Sequence, residues 1–301
     1  MCGIVGYFEK TGKLTGKTGE CLLRMLESLG CRGPDSSGVA LFGTLPSGRQ
    51  VAQVKLGDNG NLDERMRQVQ ELAKQFGAEQ FSRTDAYLRF VFRENDDLAS
   101  FLSRIESVAR DVEVVSVGRR LEIVKEVGSP ADLEKAFGIS KFQGRYGIGH
   151  TRLSTESVVD LSHSQPFWGH GYSDLAIVHN GHITNYHQLR RRYEQRGVRF
   201  YTENDSEIVA TFLADKLRKG NDLAAALTSM ITELDGSFSC LAATDKAFGF
   251  VKDPFSFKPL LFAETDNFVA VATEEVAIRG SIPGNFTARE AQAREVRVWQ
   301  T

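Results

Sequence analysis

A cysteine at position 2 is the residue of this chain best suited to act as a nucleophile. Methionine aminopeptidases remove an initiator methionine when a residue this small follows. The mature chain is then expected to begin Cys2-Gly3-Ile4-Val5-Gly6. One residue would carry both a thiol and a free α-amine. A free thiol has a pKa of about 8.5 and is mostly protonated at neutral pH, so it needs activation. An α-amine with a pKa of about 8 is matched to take that proton, directly or through a water, without an internal His-Asp pair. Taken alone, a free cysteine is more often a small packing residue; three further segments change that balance.

The first is Gly149-His150-Thr151-Arg152-Leu153-Ser154-Thr155. It follows a strand pattern and so places Arg152 at a strand end, where a guanidinium can grip a carboxylate through two parallel hydrogen bonds. The second, His179-Asn180-Gly181, follows the apolar run Leu175 to Val178. Asn-Gly is a common turn pair. It can also build an oxyanion hole from the Asn180 side-chain amide and the Gly181 backbone N–H. The third, Thr202-Glu203-Asn204-Asp205-Ser206-Glu207, precedes an amphipathic helix and suits N-capping. A carboxylate at Asp205 can equally hold an ammonium group. Together these residues describe a site for an α-amino acid whose side chain ends in a carbonyl electrophile, and L-glutamine fits.

Strands and helices must bring these segments together. Gly3 to Phe8 reads as a buried strand, Glu20 to Leu29 as a helix ending at Gly30, and Gly38 to Phe42 as a second strand. From about residue 54 to 143 charged residues become dense. Helical patterns at Leu62 to Phe76 and Asp97 to Ala109 alternate there with strand patterns at Tyr87 to Arg93, Val112 to Val117 and Leu121 to Val127, the last two expected as a hairpin. This predicts a small α+β subdomain inserted into a larger unit. Helices at 208–217 and 223–234 then precede four short strands expected as an antiparallel meander.

With 301 residues, 41% apolar and 25% charged, the chain has an ordinary globular composition. A net charge of -2 gives no reason to expect nucleic acid as a partner. No apolar run approaches the roughly 18 residues of a membrane span. The start of the chain is not a signal peptide by pattern, so the cytoplasm is the expected compartment. Cys2, Cys21, Cys31 and Cys240 form no CxxC pair, and no metal or cofactor is expected in this chain.

Several segments resemble the class II glutamine amidotransferases, the glutaminases among the N-terminal nucleophile hydrolases. They are Cys2-Gly3-Ile4-Val5-Gly6, Arg32-Gly33-Pro34-Asp35-Ser36-Ser37-Gly38, Gly149 to Thr155, Gln165-Pro166-Phe167, His179-Asn180-Gly181 and Asn204-Asp205-Ser206-Glu207. Asp253-Pro254-Phe255, Lys258-Pro259-Leu260 and Thr273-Glu274-Glu275 resemble the closing strands of that domain. The resemblance spans 1–301 except the insertion at about 54–143. It implies an α+β fold, a four-layer αββα sandwich. It further implies Cys2 as nucleophile, Asn180 and Gly181 as oxyanion hole, Arg152 for the glutamine carboxylate and Asp205 for its ammonium. Arg32 belongs to a loop that shapes the site, and Thr155 and His179 are counted with the substrate-binding residues. Leu153 stands where some members carry an aromatic residue, and Glu156-Ser157 where glycine is common nearby.

Such glutaminases deliver ammonia to a synthase. The chain shows no flavin-barrel, sugar-isomerase or phosphoribosyltransferase pattern, so the acceptor is expected on another polypeptide, or there is none. The resemblance implies a glutamate synthase-like assembly, N-methylglutamate synthase included, whose other subunits carry flavin and iron–sulfur centres. The insertion is a candidate docking surface. Two other readings stay open: another N-terminal nucleophile amide hydrolase, and a catalytically silent regulatory subunit.

Overall fold

Alternation along the first strand sets the layers. In β1 (Gly3–Glu9), Ile4 and Phe8 enter one apolar core while Val5 and Tyr7 enter another. Neighbouring side chains on a strand point to opposite faces, so a strand apolar on both must be covered on both. The computed structural model describes residues 2–12, 17–94, 97–154 and 158–301. Helix α1 (Thr18–Ser28) leads to β2 (Ser36–Phe42) and β3 (Arg49–Lys55). Then come α2 (Leu62–Lys74), β4 (Glu79–Thr84), β5 (Tyr87–Arg93), α3 (Leu98–Glu106) and β6 (Glu113–Gly118). The strands β7 (Leu121–Val127) and β8 (Tyr146–Arg152) flank α4 (Pro130–Phe137). Next are β9 (Phe167–Trp168), β10 (Ala176–Ile183), α5 (Tyr186–Glu194), α6 (Asp205–Arg218), α7 (Leu223–Glu233), β11 (Gly236–Ala243) and β12 (Ala247–Lys252). The described chain closes with β13 (Leu261–Glu264), β14 (Phe268–Ala272), α8 (Glu275–Ser281), β15 (Ala288–Glu290) and β16 (Val296–Gln300).

A seven-stranded sheet runs β15-β13-β14-β1-β8-β2-β7, and a five-stranded sheet runs β16-β12-β11-β10-β9. Their facing sides share one core, in which Ile4, Phe8, Ala40 and Ile148 meet Ala176, Val178, Leu241, Phe248 and Phe250. The outer face of the larger sheet is covered by α1 and α8 through Leu22, Met25, Leu26 and Ile278. The outer face of the smaller sheet is covered by α6 and α7 through Ile208, Val209, Leu213, Leu227 and Met230. Each such side chain contributes about 1.5–3 kcal/mol on full burial, which is ample to hold a helix layer. This is the αββα sandwich of the N-terminal nucleophile hydrolases. No described helix is long and apolar enough to cross a membrane.

A third, four-stranded sheet runs β4-β5-β3-β6, and its apolar side joins the same inter-sheet core through Ala52, Val54, Phe90 and Phe92. The expected hairpin of β6 with β7 does not form, because β7 pairs with β2 at the edge of the seven-stranded sheet. The link between them is turned by Asp174. Its carboxylate accepts the backbone N–H groups of Arg119, Arg120 and Leu121 at 2.9, 2.8 and 3.0 Å. The expected late meander is also split. β11 and β12 lie in the five-stranded sheet, and β13 and β14 lie in the seven-stranded one. Both departures concern which sheet a strand joins, a choice made by side chains distant in sequence.

Candidate active site

Cys2 lies immediately before β1, and β1 pairs with β8 so that Gly3 opposes Thr151. That register carries Leu153 to the thiol. The Leu153 N–H lies 3.4 Å from Sγ, and Sγ lies 3.6 Å from the Leu153 carbonyl. The Arg32–Ser36 loop holds this strand end in place. Asp35 accepts the Ser154 N–H at 2.6 Å and donates its own N–H to the Arg152 carbonyl at 3.0 Å. A Cβ at Gly33 would stand 2.4 Å from the Thr151 carbonyl carbon, so only glycine lets the loop approach this closely. Arg32 donates to the Cys2 carbonyl at 3.4 Å and pairs with Glu274. It supports the Cys2 backbone rather than lining the cleft.

Asn180-Gly181, a turn pair by local preference alone, is strand here. β10 continues through both residues to Ile183, with Asn180 opposite Ser239 and Gly181 opposite Phe238. The Asn180 amide donates to the Cys2 carbonyl at 3.1 Å. Gly181 has φ of 157°, and a Cβ there would lie 2.2 Å from the Ser237 carbonyl oxygen. The Gln165 side chain binds the backbone of His179 twice, accepting its N–H at 2.7 Å and donating to its carbonyl at 2.8 Å.

Asp205 begins α6. Asn204 performs the capping, its side chain accepting the Ser206 N–H at 3.0 Å. Asp205 is thereby spared that task and accepts the Ile183 N–H at 2.8 Å instead. One carboxylate oxygen faces His179 and the other His182, both at 3.7 Å. His179 turns toward α6. Its Nδ1 is 2.9 Å from Ser206 Oγ, and its buried Nε2 has no partner among the described residues. Burial lowers its pKa, with Asp205 opposing, and the same effect pushes His150 down to about 3, with Arg152 adding to it. Both rings are therefore neutral at pH 7.

Arg152 ends β8 and is 4% exposed. Its Nη1 donates to the Val158 carbonyl at 2.9 Å and its Nη2 to Ser154 Oγ at 3.4 Å. Cys2, Arg152, His179, Asn180, Gly181 and Asp205 line one cleft of about 490 Å³. Thr155, Glu156 and Ser157 lie outside the described residues. Asp35, Gln165 and Glu274 support the site without having been singled out as site residues. All three lie in segments quoted for the resemblance, and their roles need the partner strand to be visible.

A family model described as the glutamine amidotransferase domain matches residues 150–280. The chain is 36% identical to the glutamine amidotransferase-like protein GlxB of Rhizobium meliloti, over 99% of this chain and 98% of that protein. It is 34% identical to a putative glutamine amidotransferase of Methanothermobacter thermautotrophicus, over the full length of both. Amidophosphoribosyltransferase of Methanocaldococcus jannaschii matches over 54% of this chain and 35% of its own length, at 31% identity. Among solved structures, the glutamine phosphoribosylpyrophosphate amidotransferase of B. subtilis superimposes with a TM-score of 0.61 at 18% identity. That match covers 99% of this chain and 49% of the other, so this chain spans about half of that enzyme. By full-length similarity, and in keeping with its fold, the chain belongs to the class II glutamine amidotransferases.

Proposed function

We propose that the cleft hydrolyses the side-chain amide of L-glutamine. The Cys2 sulfur attacks the amide carbon, a C–S bond forms, and the carbonyl electrons move onto oxygen. The Asn180 amide and the Gly181 N–H receive that oxyanion, each donor being worth about 3 kcal/mol in comparable sites. Collapse breaks the C–N bond, and ammonia leaves with a proton returned by the Cys2 α-amine, which is free once Met1 is removed. Water then attacks the thioester, releases glutamate and restores the thiol. Arg152 takes the glutamine carboxylate and Asp205 the ammonium.

The observation that carries this reading is the convergence of a thiol, a cation and a carboxylate on one cleft from three distant segments of chain. A free amino acid presents both backbone charges, whereas an ordinary amide or peptide substrate does not. The names of the two full-length relatives, a glutamine amidotransferase-like protein and a putative glutamine amidotransferase, agree with glutamine as donor. The ammonia acceptor is assigned, by resemblance, to synthase-type partner subunits carrying flavin and iron–sulfur centres, with the insertion at about 54–143, which supplies three strands of the four-stranded sheet, as docking surface. Co-purification of such subunits, lost when that sheet's outer face is substituted, tests this part.

The cleft chemistry is tested by intact mass after treatment with 6-diazo-5-oxo-L-norleucine, a glutamine-like alkylator. The expected product lacks Met1 and carries one adduct, on Cys2, prevented by excess glutamine. A chain free of Met1 whose cysteine reacts with iodoacetamide but not with this reagent would refute glutamine recognition.

A further inference from the structure

One turn, at residues 158–165, touches Arg152 directly and reaches Asp205 through its chain neighbour Asn204. At one end, the Val158 carbonyl accepts from Arg152 Nη1 at 2.9 Å. Toward the other, the His163 carbonyl accepts from the Asn204 side chain at 3.2 Å, and Asn204 caps the helix that Asp205 begins. Within the turn, Asp160 accepts the His163 N–H at 2.7 Å and faces its ring at 2.8 Å, while Ser164 Oγ donates to the Asp160 carbonyl at 2.6 Å. These bonds make the turn a compact unit.

That unit is pinned to the four-stranded sheet. Lys55, the last residue of β3, is 1% exposed. Its ammonium donates to Asp58 at 2.6 Å and to Ser162 Oγ at 2.8 Å. Ser162 in turn donates to Glu113, the first residue of β6, at 2.7 Å. A buried ammonium is costly unless its hydrogen bonds are made, so this pin tolerates little displacement. Nothing in the proposed chemistry uses Lys55, Ser162 or Glu113.

We infer that Lys55 and Ser162 are positioning residues that set the affinity of the cleft for glutamine, acting from the four-stranded sheet through the 158–165 turn. The inference rests on the reading of the cleft as a glutamine site. Arg152 and Asp205 would hold the two backbone charges equally in the bound substrate and in the transition state. Loosening them therefore weakens binding and leaves the maximal rate alone.

The test uses the full chain and the rate of Cys2 alkylation by 6-diazo-5-oxo-L-norleucine across a range of concentrations. Ser162→Ala removes the bridging hydroxyl and little else, and Ser162→Thr retains it. For Ser162→Ala the half-saturating concentration is expected to rise about tenfold, the worth of one charge-assisted hydrogen bond, with the plateau rate unchanged. Lys55→Met should shift it the same way, and Ser162→Thr should restore the wild-type value. Alkylation by iodoacetamide, which needs no amino-acid recognition, should be unchanged throughout. An unaltered half-saturating concentration in Ser162→Ala overturns the inference. So does a parallel fall in plateau and iodoacetamide rates, the mark of general loosening. A wild-type chain that reacts with iodoacetamide alone removes the glutamine reading itself, and this inference with it.

Discussion

Replacing Asp205 by asparagine isolates a single charge. The carboxylate accepts the Ile183 N–H at 2.8 Å, and an asparagine oxygen can accept the same bond, so the junction of β10 with α6 survives. What is lost is the negative charge facing the cleft. An ammonium about 4 Å away would be attracted by roughly 4 kcal/mol at an effective dielectric of about 20. The Asp205 side chain is 17% exposed, so water screens part of this. The scale for hydrogen bonds to charged groups, about 1.5–3 kcal/mol, is the better guide. Glutamine binding should weaken about tenfold to a hundredfold. The assay is protection of Cys2 from iodoacetamide by L-glutamine and, in parallel, by glutaramic acid, which keeps the amide and the carboxylate but has no ammonium. Asp205→Asn should weaken protection by glutamine and leave protection by glutaramic acid as in wild type. Equal weakening of both ligands, or of neither, would show that Asp205 does not hold the ammonium and would refute the charge-pair argument for an amino-acid substrate.

Asn180→Ala should lower the plateau rate of Cys2 alkylation by 6-diazo-5-oxo-L-norleucine by about a hundredfold or more, with half-saturation unchanged, as expected for a donor that serves the ligand's oxygen only when charge develops on it. Gly181→Ala places a Cβ 2.2 Å from the Ser237 carbonyl, so urea denaturation should show a loss of about 1–3 kcal/mol and labelling should fall with it. The buried histidines make stability depend on pH. An unfolded histidine takes up a proton near pH 6.5, whereas folded His150 stays neutral until about pH 3. Stability should therefore fall as pH drops through that window, by up to about 1.4 kcal/mol per pH unit for His150, with His179 acting in the same direction. Urea midpoints at pH 7 and pH 5 check this, and a midpoint that does not fall would mean that the rings are protonated in the folded state.

The sequence by itself determined the candidate site residues and most of the elements that carry them. Cys2 at the second position, a guanidinium after a strand, an Asn-Gly pair and an acidic helix start are local facts, and each points to its own piece of chemistry. Periodicity was equally local. The continuous apolar run of Gly3 to Phe8 and the helical stripe of 208–217 were legible because a strand buried on both faces and an amphipathic helix write their burial directly into local composition and spacing. Tertiary structure decided the pairings. Asn180-Gly181, a turn by local preference, is strand because Ser239 and Phe238 stand opposite and the Ser237 carbonyl leaves room only for glycine. The close succession of β6 and β7 suggested a hairpin, yet Asp174, more than fifty residues later, accepts three backbone N–H groups of the link and sends β7 to another sheet. Likewise, nothing in the local sequence marks Lys55 or Ser162, and it is folding that buries one and sets the other against it. A contact between residues a hundred positions apart leaves no periodic trace in either segment, so only the folded chain discloses it.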